Sequence, residues 1–223
     1  MFILIDKDKG MTSHDVVESI RKITGIAKVG HGGTLDPNAT GLLIVAIGRS
    51  STKQLGELLK KNKTYEAEVV LGEVRSTDDV EGDVIRKTDL PVGINEEKIT
   101  KILNSFLGEN VQVPPDYSAI KVKGRKAYEI ARSGQAVPLK PRRIVVSYIN
   151  LSKVKLPIIK FEIQVSSGTY IRAIARDLGD MLGCGAYLNN LRRTSIGDFG
   201  IDAAHNISTL TQGNWEKYTF NAL

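Results

Sequence analysis

One carboxylate stands out for its setting: Asp36 lies in the stretch Val29–Leu43, VGHGGTLDPNATGLL, which holds four glycines and His31. The proline after Asp36 biases its backbone toward extended angles. The glycines permit left-handed backbone angles and a close approach of another molecule to the main chain. A side chain fixed in this way can serve as a reactive group. The alternative is an ordinary turn, because Asp-Pro and glycine-rich segments commonly form turns.

Further motifs follow the same order as those of one known family. They are DKDKGMTSH from Asp6, KTY from Lys63, VPPDYSAIK from Val113, SGTYIR from Ser167 and LNNLRRT from Leu188. With GHGGTLDPNATGLL they resemble the TruB-type pseudouridine synthases, which isomerise a uridine in the T-loop of transfer RNA, at position 55. The resemblance covers roughly residues 1 to 205. It implies a catalytic domain of that family, acting on the T-stem-loop of tRNA.

The resemblance implies catalytic roles for Asp36, Tyr65 and Arg172. Pseudouridine formation breaks a C–N glycosidic bond and forms a C–C bond on a base that must first be flipped out of folded RNA. Asp36 would add to the base at C6 or to the ribose C1′, or act as a base at the 2′ position, and the sequence leaves these routes open. Arg172 would keep Asp36 ionised. Tyr65 would stack on the base and take the C5 proton.

Without the resemblance, these residues have plainer interpretations. Arg172 would be a surface arginine on a helix, and Tyr65 would be a core residue of an amphipathic strand.

Because the reaction involves no redox or phosphoryl chemistry, we expect no cofactor and no metal.

Other positions are substrate-binding candidates. Tyr170 and Leu191 match residues that line the family's pocket, although both types usually occur as plain core residues. His31 would fill the space left by the flipped base rather than move protons. Lys9, with Lys28, is a candidate phosphate contact on charge alone.

Residues 111–145, here called the basic arm, have a different composition. They contain scattered cations with Tyr117 and Tyr128 among them; the cations are Lys121, Lys123, Arg125, Lys126, Arg132, Lys140, Arg142 and Arg143. Phosphate contacts and stacking rings are what an RNA surface needs, although a solvated lysine-rich face is the commoner meaning of such a run. In the family this stretch is an insertion that closes over the RNA stem-loop, so Lys121 is a candidate substrate contact.

Composition sets broad limits. The 223 residues are 41% hydrophobic and fit one catalytic domain, residues 1–223, with an insertion at about 111–145 and a short tail from about 200. The net charge of +6 suits a polyanionic partner. Cys184 is the single cysteine, which excludes an internal disulfide and fits a reducing cytoplasm. We expect a cytoplasmic monomer with no signal peptide, no membrane association and no required protein partner.

The patterning predicts the elements around these residues. Thr12 and Asp15 form a capping box for a helix that Gly25 ends, and Leu42–Ile47 is a buried strand. Helices are also predicted at Thr52–Lys61, with Leu55, Leu58 and Leu59 inward, after Asn95, with Ile99, Ile102, Leu103, Phe106 and Leu107 inward, and after Thr169 as the cap. Alternation predicts further strands at Tyr65–Leu71, Ile144–Ile149, Ile158–Val165 and Leu188–Ile196. We therefore predict an α+β fold with a large mixed, mostly antiparallel sheet flanked by helices and loops.

The tail and the rival functions complete the predictions. Bacterial members of the family commonly carry a C-terminal RNA-binding module of the PUA kind, and we expect the residues after Phe199 to be too few for one. Trp215, Tyr218 and Phe220 would instead lie on a helix covering the sheet. The first rival function is a guide-RNA-directed pseudouridine synthase of the related ribonucleoprotein branch. The second is a non-catalytic tRNA-folding or RNA-binding protein.

Overall fold

The computed structural model describes residues 1–221. The α-helices are α1 (Ser13–Thr24), α2 (Arg49–Lys60), α3 (Glu96–Asn104), α4 (Ala127–Arg132) and α5 (Ile171–Leu182). The strands are β1 (Phe2–Lys7), β2 (Val29–Gly32), β3 (Thr40–Ile47), β4 (Lys63–Leu71), β5 (Glu73–Arg75), β6 (Val84–Lys87), β7 (Gly108–Gln112), β8 (Lys121–Val122), β9 (Arg125–Lys126), β10 (Arg142–Lys155), β11 (Ile158–Val165), β12 (Ala186–Ile196), β13 (Phe199–Gly200), β14 (His205–Asn206) and β15 (Thr219–Phe220).

The chain divides into two compact units. Unit 1 comprises Met1–Glu66 and the segment from Leu191 onward, and unit 2 comprises Ala67–Asn190. Strands β4 and β12 each contribute residues to both units. The strand pairs are mostly antiparallel, with parallel pairs at β1–β14 and β3–β12. The predicted α+β class with a mixed, mostly antiparallel sheet is confirmed.

Unit 1 is built on the antiparallel pair β1–β3, in which Phe2 pairs with Ala46 and Lys7 with Gly41. Strand β3 is buried along almost its whole length, as its unbroken apolar run predicts. Its two sides pack into separate apolar clusters, one of which includes the buried face of α1 and the other that of α2. The core of unit 1 therefore lies on both sides of β3.

Helix α1 confirms the capping box. The Thr12 hydroxyl accepts the Asp15 N–H, the Asp15 carboxylate accepts the Thr12 N–H, and Gly25 closes the helix with a left-handed φ of 70°. The capping box fixes where the helix starts, and Gly25 fixes where it ends. The residues before the helix, Asp6–Met11, are held next to the glycine-rich stretch by the Gly10 N–H, which donates to the Pro37 carbonyl at 2.9 Å.

The C-terminal segment differs from the predicted helix. Trp215–Tyr218 forms a single 3-10 turn, and Phe220 lies in β15, which pairs with β1. Trp215 packs into the core cluster that contains α1. The prediction of a covering helix was wrong because the edge of β1 offers backbone hydrogen bonds to this segment.

In unit 2, β10 and β11 form a long hairpin and β7 pairs with the other side of β10. Their inward residues alternate with exposed ones, as the predicted strand patterns require. Helices α3 and α5 belong to this unit. Asn95 caps α3 through the Lys98 N–H, as predicted.

Some inward positions were predicted wrongly. Leu59 is 36% exposed and Leu107 is 45% exposed, whereas Ile99 and Leu103 are buried. Leu107 lies beyond the end of α3 at Asn104, so the helical period no longer applies to it. Leu59 lies in the last turn of α2, at the edge of its apolar face.

Thr169 does not cap α5. Its hydroxyl donates to the Ser166 carbonyl at 2.9 Å, so residues 166–169 form a turn of their own. The helix starts one residue later, with Tyr170 at the N-cap position and no side-chain cap bond from that residue. Within residues 1–221, no helix has the length and apolar character needed to cross a membrane.

Candidate active site

The loop that carries Asp36 is held by the elements on either side of it. The Ser13 hydroxyl, at the start of α1, accepts the Leu35 N–H at 2.9 Å and donates to the Leu35 carbonyl at 3.1 Å. The Ala39 N–H donates to the Asp36 carbonyl at 3.0 Å, which closes a tight turn over Pro37. Leu35 itself is buried, whereas Asp36 is half-buried. The carboxylate therefore extends from a backbone that is fixed one residue before it and three residues after it.

A glycine is required where β3 meets β12. Gly41 has a φ of 103°, and a Cβ at this position would lie 2.3 Å from the carbonyl oxygen of Arg193. The backbones of Gly41 and Arg193 are register partners in the parallel β3–β12 pair. This close approach brings the buried Arg193 side chain to the glycine-rich loop. Its Nη2 donates to the Gly33 carbonyl at 3.0 Å and its Nε to the Leu42 carbonyl at 2.7 Å.

Lys7 is a second buried cation at this loop. Its Nζ donates to the carbonyls of Asp8, Met11 and Pro37 at 2.9, 2.7 and 3.3 Å. Burial lowers the pKa of Lys7, while the negative charges of Asp36 and Asp8 oppose that shift. The Lys7 ammonium thus interacts electrostatically with Asp36 and is hydrogen-bonded to Pro37, the next residue along the chain.

Lys63, at the start of β4, is also buried. Its Nζ donates to the carbonyls of Leu59 and Lys61 at 2.9 and 2.7 Å and so caps the end of α2. Burial, together with the positive charge of Arg193, lowers the pKa of Lys63 to about 8. Lys7, Lys63 and Arg193 make the surroundings of the loop electropositive, which suits an anionic substrate.

His31 lies on β2 opposite Val45 of β3. Within the part of the chain that the structure describes, its Nδ1 is a buried atom without a hydrogen-bond partner. Burial and the charge of Arg193 lower the pKa of His31, so the imidazole is neutral at pH 7. A neutral ring with an unused nitrogen fits a space-filling role better than the role of a cation.

The structure places the other candidates of unit 1 on distinct elements. Tyr65 is a buried residue of β4, and Leu191 is a half-buried residue of β12. The two strands are linked inside unit 1 by the Ser195 hydroxyl, which donates to the Thr64 hydroxyl at 2.8 Å. Lys9 is exposed in the turn between β1 and α1. Unit 1 therefore contains Asp36, Tyr65, His31, Leu191 and Lys9.

Unit 2 contains Tyr170, Arg172 and Lys121, and Arg172 is buried in the first turn of α5. Its Nη1 donates to the Thr77 carbonyl and its Nη2 to the Tyr117 carbonyl, both at 3.0 Å. Its Nε lies 3.5 Å from the Asp79 carboxylate. The plainer interpretation of Arg172 as a surface arginine is therefore wrong. Its guanidinium is held in one orientation by the loop 76–82 and by the start of the basic arm.

Arg176 repeats this arrangement one helical turn later, as the four-residue spacing predicts. It contacts the Asp78 carboxylate at 3.0 Å and donates to the Val113 carbonyl at 3.0 Å. Burial raises the pKa of Asp78 to about 6, although the charges of Arg176 and Arg172 act in the opposite direction. The backbone of Asp78 has a φ of 61°, a left-handed conformation.

The basic arm presents its charges on a short hairpin and a helix. Strands β8 and β9 pair Lys121 with Lys126, two exposed cations facing each other across the hairpin. Like charges in that arrangement repel, which a bound polyanion would relieve. On α4, the Tyr128 ring has the cations of Lys126 and Arg132 at 5.3 and 5.5 Å from its centroid.

Several buried polar residues were missed from sequence: Lys7, Lys63, Arg193, Asp79 and Gln112. For Lys7 the sequence offered one signal: a charged residue at the end of the apolar strand Phe2–Lys7. Charged groups are rarely buried without a partner, so burial there would have implied hydrogen-bond acceptors close by. Lys7, Lys63, Arg193 and Gln112 lie in or beside the motifs quoted above, whereas Asp79 does not. Their partners are mainly backbone carbonyls, which sequence patterns do not show.

Comparison with protein families gives matches along nearly the whole chain. A family model for the N-terminal domain of TruB family pseudouridylate synthases matches residues 21–171. A second, for the C-terminal domain of tRNA pseudouridylate synthase B, matches residues 172–222. The matched region thus extends beyond residue 205, where the resemblance seen in the sequence ended.

Individual proteins agree. A tRNA pseudouridine synthase B of Mycobacterium sp. (strain KMS) is 46% identical over 93% of this chain and 71% of its own length. That of Clostridium tetani is 41% identical over 99% of this chain and 75% of its own. Among solved structures, a chain of a Cbf5-Nop10-Gar1 complex is 31% identical with a TM-score of 0.70, covering 93% of this chain and 52% of that one.

The chain therefore spans about half the length of the solved relatives that it resembles. The family match covers well over half of the chain described here, and the 46% identical relative is covered over more than two thirds of its length. The fold, the ordered motifs and these comparisons lead to one conclusion: this chain belongs to the TruB family of pseudouridylate synthases.

Proposed function

We propose that this protein isomerises uridine to pseudouridine in tRNA, at position 55 of the T-loop. The observation that carries the proposal is the setting of Asp36. A half-buried carboxylate extends from a backbone fixed through Ser13 and Ala39, and the buried cations Lys7 and Arg193 bind the carbonyls of the same loop. The curated relatives at 41–46% identity, which are named tRNA pseudouridine synthase B, support tRNA as the substrate.

Each candidate then has a role in the proposed reaction. Asp36 acts on the flipped uridine, either as a nucleophile at C6 or C1′ or as a base at the 2′ position; Arg172 keeps it ionised. Tyr65 stacks on the base and accepts the C5 proton once the C–C bond has formed. His31 occupies the space that the flipped base leaves, and Tyr170 and Leu191 line the pocket. Lys9 and Lys121 contact phosphates.

The direct test is to incubate the purified protein with unmodified tRNA and to map pseudouridine along it. We expect modification at one T-loop uridine, without added metal, cofactor or protein partner. An isolated T-stem-loop is the second substrate, because the proposed contacts involve that part of the tRNA. Binding of tRNA with no pseudouridine formed would favour the non-catalytic RNA-binding alternative.

A guide-directed function is the remaining alternative. Solved relatives of 29–31% identity include an H/ACA RNP bound to a substrate RNA and an archaeal Nop10-Cbf5 complex. The higher identity to the tRNA enzymes favours the stand-alone reaction. If modification of tRNA required a guide RNA in the mixture, the guide-directed alternative would replace the proposal.

A further inference from the structure

The base of the basic arm is fastened to the residue that opens helix α5. Gln112 is the last residue of β7 and is 2% exposed. Its side-chain amide makes two hydrogen bonds to one residue: Oε1 accepts the Tyr170 N–H at 2.9 Å, and Nε2 donates to the Tyr170 carbonyl at 3.1 Å. A buried amide with this pairing holds the backbone of Tyr170 as a neighbouring strand would.

The other end of the arm reaches the same residue. Gln112 and Arg142 are register partners in the β7–β10 pair, so the arm leaves the sheet at one and returns at the other. The Arg142 guanidinium lies 5.7 Å from the centroid of the Tyr170 ring, within range of a cation–π interaction. The backbone of Tyr170 is therefore held by one end of the arm and its ring by the other.

The same segment is tied to the first two turns of α5. Arg172 donates to the Tyr117 carbonyl, and Arg176 donates to the Val113 carbonyl, each at 3.0 Å. Residues 112, 113 and 117 are thus each bonded to the start of α5 or to its first two turns.

We propose that Gln112 and Arg142 are positioning residues that couple the basic arm to Tyr170 and, through the start of α5, to Arg172. RNA held by the arm then fixes the orientation of these two side chains. The inference rests on the proposed function, since it takes the arm as the RNA grip and α5 as the bearer of pocket residues. It adds that the arm's base determines the rate of the chemical step, separately from the affinity for RNA.

The test compares Gln112→Ala and Gln112→Glu with the unchanged protein in single-turnover assays on a T-stem-loop. Gln112→Ala removes both bonds to Tyr170. Gln112→Glu keeps an acceptor for the Tyr170 N–H but loses the donor to its carbonyl. We expect the single-turnover rate to fall about tenfold or more for both variants, because in Gln112→Glu a carboxylate oxygen would face the Tyr170 carbonyl at a buried position. The Kd for RNA should change by no more than about threefold.

Arg142 is tested by a conservative pair. Arg142→Lys retains a cation over the ring and should keep most of the rate, whereas Arg142→Gln should not. A Gln112→Ala, Arg142→Gln double variant should lose less than the sum of the two single effects, because both act on Tyr170.

Stability is controlled by Ile159→Val, which removes one methylene group at a fully buried site in the same unit. Ile159 pairs with Val154, twelve residues along β10 from Arg142. Ile159→Val should lower the melting temperature and leave the single-turnover rate unchanged. Hydrogen exchange of the Tyr170 amide gives a readout independent of activity, and Gln112→Ala should speed it.

The outcomes separate the two proposals. An unchanged protein that forms no pseudouridine contradicts the proposed function. An active protein whose Gln112→Ala variant keeps the normal single-turnover rate, or loses RNA affinity alone, overturns the coupling and leaves the function in place. A rate loss matched by Ile159→Val at equal loss of stability would also overturn it, because the effect would then be structural.

Discussion

At the scale of single residues, Asp36 is the position on which the proposed chemistry depends most directly. We expect Asp36→Asn to reduce pseudouridine formation at least about a thousandfold, on the order of 4 kcal/mol in the barrier. The amide has the same shape but is neither a nucleophile nor a base. Because the loop is held through backbone atoms of Leu35 and Ala39, folding and RNA affinity should change little. Turnover close to that of the unchanged enzyme would remove Asp36 from the mechanism.

Arg172 is the second residue on which the proposed chemistry depends. Arg172→Ala should lose most activity at neutral pH, because it removes the cation that the proposal assigns to the reaction and breaks the bonds to Thr77 and Tyr117. The measurement is kcat/KM of the variant together with its melting curve. Activity close to that of the unchanged protein would remove Arg172 from the mechanism, and a loss explained by unfolding would show a structural role alone.

Asp78 gives a prediction about stability. Burial raises its pKa in the folded protein to about 6, above the ordinary value of 3.8. Between these values the folded protein binds more protons than the unfolded one, so the contribution of Asp78 to the free energy of unfolding falls as the pH rises from about 4 to 6. Asp78→Asn removes this titration, while Arg176 keeps Asp177 as a partner at 2.9 Å.

The measurement is urea unfolding of both proteins at pH 4.5 and pH 7. We expect the variant to gain on the unchanged protein between these pH values, by about 2 kcal/mol at 1.36 per pKa unit, because part of the titration lies below pH 4.5. A constant difference between the two would contradict the burial of an ionised Asp78.

At the scale of elements, the β3–β12 pair depends on Gly41. Alanine here would place Cβ 2.3 Å from the Arg193 carbonyl and would also strain a φ of 103°. We expect Gly41→Ala to lower the free energy of unfolding by at least about 2 kcal/mol. Gly48→Ala is the matched control, because Gly48 has a φ of 90° and no atom within 4 Å of such a Cβ. Equal losses in the two variants would show that strain alone matters.

Elements with a local cause were predicted well. The capping box of Thr12 and Asp15 fixes α1, and strict alternation fixes β11 at Ile158–Val165. The prediction that Thr169 caps α5 was wrong because the N–H of Tyr170, at the N-cap position, bonds instead to Gln112, 58 residues earlier in the chain. The prediction of a C-terminal helix was wrong for a similar reason, since β15 is formed by pairing with β1. Long-range backbone bonds leave no periodic trace in the sequence.

The residues of the candidate site also differ in whether local sequence or long-range contacts reveal them. The motifs locate Asp36, Tyr65 and Arg172 without a structure. They do not show that Lys7, Lys63 and Arg193 are buried on backbone carbonyls, because a lysine or arginine in a sequence usually means solvent exposure. The distinction between a surface arginine and the held guanidinium of Arg172 also required its partners, Thr77 and Tyr117, which lie 95 and 55 residues away along the chain.

At the scale of the whole molecule, the chain is basic, with a net charge of +6, yet the charge is concentrated where RNA is proposed to bind. The hairpin β8–β9 exposes Lys121, Lys123, Arg125 and Lys126 within six residues. Its tip is a Lys-Gly turn in which Lys123 and Gly124 both have positive φ, as short hairpin turns require. Contacts made there should be electrostatic and hence sensitive to salt.

We therefore expect the affinity for a T-stem-loop to fall steeply with salt. Each phosphate contact adds about 0.7 to 0.9 to the slope of log affinity against log salt. Changing Lys121, Lys123 and Arg125 together to Gln should flatten the slope by about two units, while the rate in the saturated complex stays near its normal value. Lys101→Gln on α3 is the control, an exposed cation of the same unit outside the arm. A slope unchanged by the triple variant would place the phosphate contacts elsewhere. A slower chemical step would show that the tip, like the base at Gln112, acts on the pocket.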